Sequence, residues 1–529
     1  MTIVDETEPL LGLPSDDLAR AHTNPPVIHD PRKPSRVVDF DPNGDPENPQ
    51  AWSRPYRWAL TLILTWMAFN VTFCCGSVVP IASGIVRDLD GKDSSRGAGS
   101  LSGGGGGGGS GSRYASVLLV TIWELGESAG PLIIAPLSEM FGRYPVLNVC
   151  NTLFATITLL SAFSPTTPIL IMCRALSGLV VSSNVLNPAL IGDLWEPEDR
   201  GSPMSLVQLA PLIGGSIGPA LAGAIAEQVG WRWVLVISAL LIASAALLTA
   251  TLFRETYKVA ILKRRARRLA TSASDSEETQ PLTAATDREI NNGRGGSSSE
   301  LLESIVRPFY VFGSSGVLMA LALYGSVAFS HFYNISTTLP HILETYYALT
   351  PKATGGCLVF FSCGAMFSVL MCNLFLDRIY VRLRAQSGSG VGQPEFRLPL
   401  SIVGGLLMPP ALAFYGWAAQ AVVPLPLLMF AVAVVGSGLL MTILPLSAYV
   451  VDAFGLYSAS AMTGFIVARC LMGTFLPLAT TPLVDALGYG WGFTVLAGVS
   501  AVLAPVPIVV MRFGERWRAA GKYTNGSQE

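Results

Sequence analysis

Twelve apolar runs, each of about the 20 residues needed to cross a bilayer, recur along this 529-residue chain and leave it few choices of fold. Six fall at Trp58 to Pro80, Ala115 to Leu137, Val146 to Phe163, Ile169 to Gly192, Met204 to Ala226 and Trp233 to Phe253. Six more fall at Val311 to Ile335, Ala353 to Phe375, Leu398 to Trp417, Leu425 to Ala448, Ala459 to Leu483 and Trp491 to Met511. Inside lipid the backbone must satisfy its own hydrogen bonds, which a run of this length does only as an α-helix. The expectation is an all-α membrane protein of twelve transmembrane helices in two six-helix halves. Only 13% of the residues are charged, against about 25% in soluble domains, which excludes an ordinary soluble protein. A net charge of −2 offers no basic surplus for nucleic acid and no acidic solvating tail. The eight cysteines sit in apolar stretches, without a CxxC pair or a histidine at ligand spacing. They read as packed thiols, not as disulfides or metal ligands.

The runs divide the chain into a tail (residues 1–57), a first half (58–253), a connecting stretch (254–308), a second half (309–512) and a second tail (513–529). The connecting stretch carries a basic block at Lys263 to Arg268, an acidic serine patch at Ser274 to Glu278 and a Gly- and Ser-rich run at Gly293 to Ser299. That composition points to a flexible linker, with Ser272, Ser274 and Ser276 as candidate phosphorylation sites. Orientation follows from the basic residues. With the N-terminus in the cytosol, 26 of the 34 Lys and Arg fall on cytosolic segments, six outside, and two, Arg174 and Arg469, within spans. Both termini and the linker are therefore expected in the cytosol. The segment from Ser83 to Tyr114, with its glycine run Gly103 to Gly109, is expected outside as a solvated connector. A plasma-membrane location is expected; the acidic dileucine-like stretch Glu6 to Leu11 offers a vacuolar alternative.

Three stretches carry more than hydrophobicity. Between spans two and three, Ala135 to Val146 forms a short turn with Gly142 and Arg143 and an acid, Glu139, one turn earlier. In span four, Arg174 is a cation inside lipid, with Gly178 one turn on, and such a charge needs a partner. In span five, Gly214, Gly218, Pro219, Ala222 and Gly223 set small residues on one helix face, where a neighbouring backbone can come close. Together these resemble the loop, helix-four and helix-five motifs of the major facilitator superfamily, the last of them similar to the motif of its proton antiporters. Asp45 to Ser53, Gly230 to Trp233 and Asp452 to Ala461 add a likeness to the fungal drug:proton antiporter family with twelve spans, covering about Asp39 to Arg518. The chain departs from the superfamily loop at Ala135, Glu139, Met140 and Tyr144, where glycine, aspartate and basic residues are usual. An echo of that loop recurs between spans eight and nine at Asn373 to Leu383, with Asp377 and Arg378 standing where the first half has Glu139 and Met140. Glu139, Gly142, Arg143, Asp377 and Arg378 are thus the candidate gating residues.

Span two holds Glu124 and Glu127 three residues apart, on one helix face, and Glu124 lies about 15 Å deep at 1.5 Å per residue from Tyr114. A dry setting disfavours a charged carboxylate, and two close carboxylates resist double ionisation, which is the chemistry of a proton carrier. The pair either exchanges protons, with Arg174 biasing it, or is held permanently by Arg174 for packing. Arg469 in span eleven has no carboxylate in spans seven, eight, ten or eleven, and is open to an anionic substrate group, a helix C-terminus or carbonyls. His331 in span seven is expected at a solvated outer rim. The resemblance implies a cavity lined by spans one, four, seven and ten, to which Asn70, Phe73, Asn184, Asn187, Tyr324 and Met441 would contribute. A lining so apolar suits lipophilic solutes better than sugars.

No phosphate loop of the GxxxxGK[ST] form and no HExxH is present, so neither an ATP-driven pump nor an enzyme is expected, and no cofactor beyond a proton gradient. The reading is a proton-coupled exporter of small, lipophilic organic compounds working by alternating access, acting as a monomer in the bilayer. The alternatives are a proton symporter or facilitative carrier on the same fold, and a transport-dead sensor using its linker.

Overall fold

The computed structural model describes residues 37–38, 40, 45–96, 108–196, 199–273, 283–284, 297–386 and 392–519. The dileucine-like stretch, most of the glycine run and the acidic serine patch lie outside the described residues.

Every apolar run becomes helix. Spans one to three are Arg54–Ser77, Gly108–Phe141 and Arg143–Ala162; span four is the pair Thr167–Leu179 and Ser183–Leu194; spans five and six are Gly201–Val229 and Trp231–Leu252. In the second half, spans seven to ten are Gly316–Tyr346, Pro351–Gln386, Pro399–Gln420 and Leu425–Phe454. Spans eleven and twelve share the helix Ser458–Leu503, which turns at Gly488 (φ 77°, ψ 172°). That backbone region is open to glycine and closed to residues with a Cβ. Among the described residues, eleven helices are therefore long and apolar enough to cross a membrane, and the last of them contains two spans.

Local sequence explains the ends. Before span one, the Asn48 side chain accepts from the Gln50 amide at 3.1 Å, Asp45 accepts from Glu47 at 3.0 Å and the Trp52 indole donates to the Pro46 carbonyl at 3.0 Å. The Asp45 to Ser53 motif is thus a self-capped turn that delivers the chain to the first span. Span seven begins later than the hydropathy implies. Ser315 caps it by accepting from the Leu318 amide at 3.3 Å, so Val311 belongs to a separate helix, Ser297–Ser314. Another helix, Lys258–Ala273, occupies the basic part of the stretch read as flexible. Its Val259, Leu262, Ala266 and Leu269, and likewise Leu302, Ile305, Phe309 and Phe312 in the later helix, recur at helical spacing that the dense charge hides.

Two compact units emerge. One comprises Met1–Asp41 and Leu262–Arg294, described as a short parallel pairing of Val37 with Thr283 and Val38 with Ala284. The other, Pro42–Ile261 and Gly295–Glu529, is the transmembrane body.

Within the body, glycine decides which helices touch backbone to backbone. A Cβ on Gly214 would sit 2.5 Å from the Phe69 carbonyl oxygen, and one on Gly218 would sit 2.8 Å from that of Phe73, so span five lies directly on span one. Farther along the same face, Gly223 abuts Pro351, and Gly355 of span eight abuts Pro219, joining the two halves. Spans two and four cross as closely, since a Cβ on Gly126 would stand 2.7 Å from the Leu179 amide nitrogen.

Candidate functional site

The body has two faces: the loop face bears residues 83–96 and 108–114, and the linker face bears residues 254–261 and 297–308. Midway between them, span two of the first half meets spans seven and eleven of the second, and the intramembrane charges gather there.

Glu124 is 3% exposed. Its Oε1 accepts from the Tyr333 hydroxyl of span seven at 2.6 Å, while its Oε2 is buried without a hydrogen-bond partner. Glu127 is saturated differently: Oε2 accepts from the Trp123 indole at 3.0 Å and Oε1 from the Asn184 amide at 2.8 Å. Across the interface, Nη2 of Arg469 stands 3.9 Å from Glu127 Oε1, and its guanidinium lies over the Phe329 ring at 4.3 Å. The partner that Arg469 lacks in its own half is therefore supplied by span two. Glu124, Glu127 and Cys470 each bring a ligand atom within 4.8 Å of the others; beside them Arg469 already supplies a positive charge.

Arg174 does not pair with the glutamates. It donates to the carbonyls of Cys74 and Cys75 at 3.1 and 3.0 Å, near the end of span one, and rests on the Trp123 ring at 4.8 Å. Those carbonyls lie where the helix stops at Ser77, so their ordinary i+4 amides are missing and a guanidinium fork can satisfy both. Span four breaks just after Leu179, resumes at Ser183, and so brings Asn184 to Glu127. Asn184 is itself exposed, while the two carboxylates beside it are buried.

The other expected lining residues are spent on packing. Asn70 donates to the Leu241 carbonyl at 3.0 Å and Asn187 to that of Leu64 at 3.1 Å, both 2% exposed. Phe73 is buried beneath Gly218, Tyr324 donates to the Ser401 carbonyl at 2.7 Å, and Met441 packs with Cys372 and Leu400. Polar residues in a span advertise a hydrogen bond, and here most bond a neighbouring helix. His331 is likewise no rim residue. It is fully buried, 2.8 Å from the Ser500 hydroxyl and 3.3 Å from Asn334, whose amide oxygen accepts from Thr480 at 3.0 Å. Tyr333 and Phe329, which complete the site, were absent from the expected set; their spacing on span seven gives no signal until span two is placed against it.

The two faces are held differently. On the loop face, ion pairs cross between halves: Arg87 with Glu344, and Arg113 with Asp485. Glu227 also accepts from the Lys352 amide at 3.3 Å. A hollow of about 290 Å³ at this rim, lined by Pro80, Arg87, Trp231, Pro340 and Glu344 among others, includes that first pair and lies away from the carboxylates.

On the linker face the ion pairs among the described residues stay within a half. Arg143 lies 3.6 Å from Asp193, donates to Ser138 at 2.7 Å, and gives its backbone amide to Glu255 at 2.9 Å. Gly142 (φ 99°) makes that turn possible, whereas Glu139 is exposed. Burial, with the Glu139 and Asp193 carboxylates adding to it, pushes the neighbouring Tyr257 hydroxyl above its ordinary range and keeps it neutral beside Arg143. In the second half the corresponding hub is Arg397, 2.6 Å from Asp377 and 3.0 Å from Asp452 and stacked on Tyr380 at 4.4 Å. Arg378, expected in that role, is exposed. The halves thus match through the cation that opens spans three and nine, a relation the loop spacing does not reveal.

Known proteins resemble this chain over most of its length. The family described as Major Facilitator Superfamily matches residues 110–477. The chain is 32% identical over 493 residues to the MFS transporter cpaT of Aspergillus oryzae, covering 93% of this chain and 94% of that protein. It is 29% identical over 501 residues to the efflux pump radE of Floropilus chiversii, covering 93% and 87%. Among solved structures, a D-xylose-proton symporter superposes with a TM-score of 0.63 at 15% identity, covering 86% of this chain and 97% of the other; at that identity the likeness speaks to the fold alone.

Proposed function

The chain belongs to the major facilitator superfamily, a family of multi-pass membrane transporters, and from that premise we propose that it exports a small, lipophilic organic compound in exchange for protons. The observation that carries the proposal is the charge pairing of buried Glu127 with partly buried Arg469, 3.9 Å apart, which faces the two halves to each other beside a second buried carboxylate. Glu124 Oε2, buried with no donor, offers a place for a proton that needs no rearrangement of its neighbours. Protonating Glu127 removes half of the charge pair that bridges the halves and weakens their grip at the centre. The loop-face clasps tie the halves together on that side, and the linker face has no such clasp among the described residues. Rocking of the halves about the span-five and span-eight contact would exchange the two conditions. Likeness to an efflux pump supports export over uptake. The basic-residue bias supports cytosolic termini, with a monomer in the plasma membrane as the working arrangement.

Efflux of a panel of lipophilic fluorescent compounds from sealed cells, driven by an imposed pH gradient, tests this reading. Glu124→Gln and Glu127→Gln, singly and together, are expected to lower gradient-driven efflux at least tenfold while leaving surface expression intact. Efflux that stays pH-driven and undiminished in the double variant sinks the coupling assignment.

A further inference from the structure

Arg469 is not fully committed to Glu127. A charge-assisted N–H···O bond is typically about 2.7–2.9 Å long, whereas this contact is 3.9 Å. Glu127 is also held by neutral donors, Trp123 and Asn184, which give one bond to each of its oxygens at 3.0 and 2.8 Å. Glu124, the other carboxylate at hand, takes the Tyr333 hydroxyl at 2.6 Å. The Nε of Arg469 is buried and has no hydrogen-bond partner, although the side chain as a whole is 22% exposed. Nε and Nη2 form the side-on edge of the guanidinium fork, the edge that grips a carboxylate with two parallel bonds. One of those N–H groups is therefore loosely held and the other has no acceptor, on a cation 4.3 Å above the Phe329 ring. Phe329 continues into Phe332, and Phe332 into Phe361 of span eight, with ring centroids 6.5 and 5.1 Å apart. Phe329 and Phe332 are only partly buried, so an accessible apolar surface adjoins the cation.

We propose that Arg469 is the substrate-anion receptor of this transporter, and that its cargo is an acidic aromatic or otherwise flat lipophilic compound. The acid group bonds the Nε and Nη2 edge, and the flat body lies against Phe329 and Phe332. Substrate and Glu127 then compete for one guanidinium: the anion draws Arg469 off the carboxylate, and departure of the anion returns it. This deepens the export reading and rests on it.

Scintillation-proximity binding of tritiated 1-naphthoic acid to the full-length protein in nanodiscs, competed by its methyl ester and by 1-naphthalenemethylamine, tests the assignment. The acid is expected to bind saturably and at least tenfold more tightly than either competitor. Arg469→Gln should abolish that preference, and Arg469→Lys, which keeps the charge but loses the fork, should cut it several-fold. The lysine variant carries the test if the glutamine variant does not fold. Absence of saturable naphthoate binding, or a preference that survives both variants, overturns the proposal. Loss of gradient-driven efflux with naphthoate binding intact instead overturns the export reading and leaves the receptor assignment standing.

Discussion

Arg174 and Arg469 look alike in the sequence: each is a lone cation within an apolar run. Their surroundings separate them. Arg174 gives both Nη groups to carbonyls and lies on an indole face, with its Nε left over, which makes it a brace between spans one, two and four. Arg469 reaches across to the other half. Depth and charge were legible from residue order alone; the partner was not, because a guanidinium donates to carbonyls as well as to carboxylates and only the crossing of helices decides which is near. Arg174→Lys therefore should lower thermal stability, by about 1–3 kcal/mol for the carbonyls left without a donor. The pH-gradient dependence of efflux should stay unchanged. Thermal unfolding in detergent alongside transport checks both halves of the statement, and a lost pH dependence would return Arg174 to the coupling role.

At the scale of elements, hydropathy located every span, since burial of about 20 apolar residues overwhelms other signals. What it missed are places where backbone chemistry intervenes: the Ser315 cap that delays span seven, the interruption after Leu179, and the Gly488 joint that fuses the last two spans into one helix. The span-five glycines were readable as a close-approach face, but the identity of the neighbour was not, because small residues say that something is near without saying what. Their spacing now yields a paired prediction. Gly218→Ala puts a methyl group 2.8 Å from the Phe73 carbonyl oxygen, while a Cβ on Gly215 meets nothing within 4 Å. Overpacking of that kind costs about 1–3 kcal/mol, so Gly218→Ala should lower the unfolding temperature and the turnover, and Gly215→Ala should change neither. Equal effects of the two in a thermal-shift and efflux comparison would count against direct contact of spans one and five.

For the whole molecule, asymmetry between the faces is the informative property. Exposed ion pairs contribute about 0.2–1 kcal/mol each, so the two loop-face clasps bias the equilibrium between states without fixing it. Glu344→Ala together with Asp485→Ala should shift that balance several-fold toward opening at the loop face. A variant retaining Cys75 as its one cysteine reports this, since the thiol sits between the halves, 3.8 Å from the Tyr333 hydroxyl. Labelling by an impermeant maleimide added on the loop-face side should speed up by the same factor, and an unchanged rate rules the clasps out. The central cluster has an electrical consequence as well. With both carboxylates ionised, Glu124 and Glu127 balance Arg174 and Arg469, and the empty carrier presents no net charge at mid-membrane. The transmembrane voltage, worth about 2.3 kcal/mol per charge for each 100 mV, then does no work on a carrier that holds neither cargo nor proton. An exchanger moves loaded, however: a bound monoanion leaves one net negative charge on the outward stroke and a bound proton one net positive charge on the return, so voltage acts on both strokes.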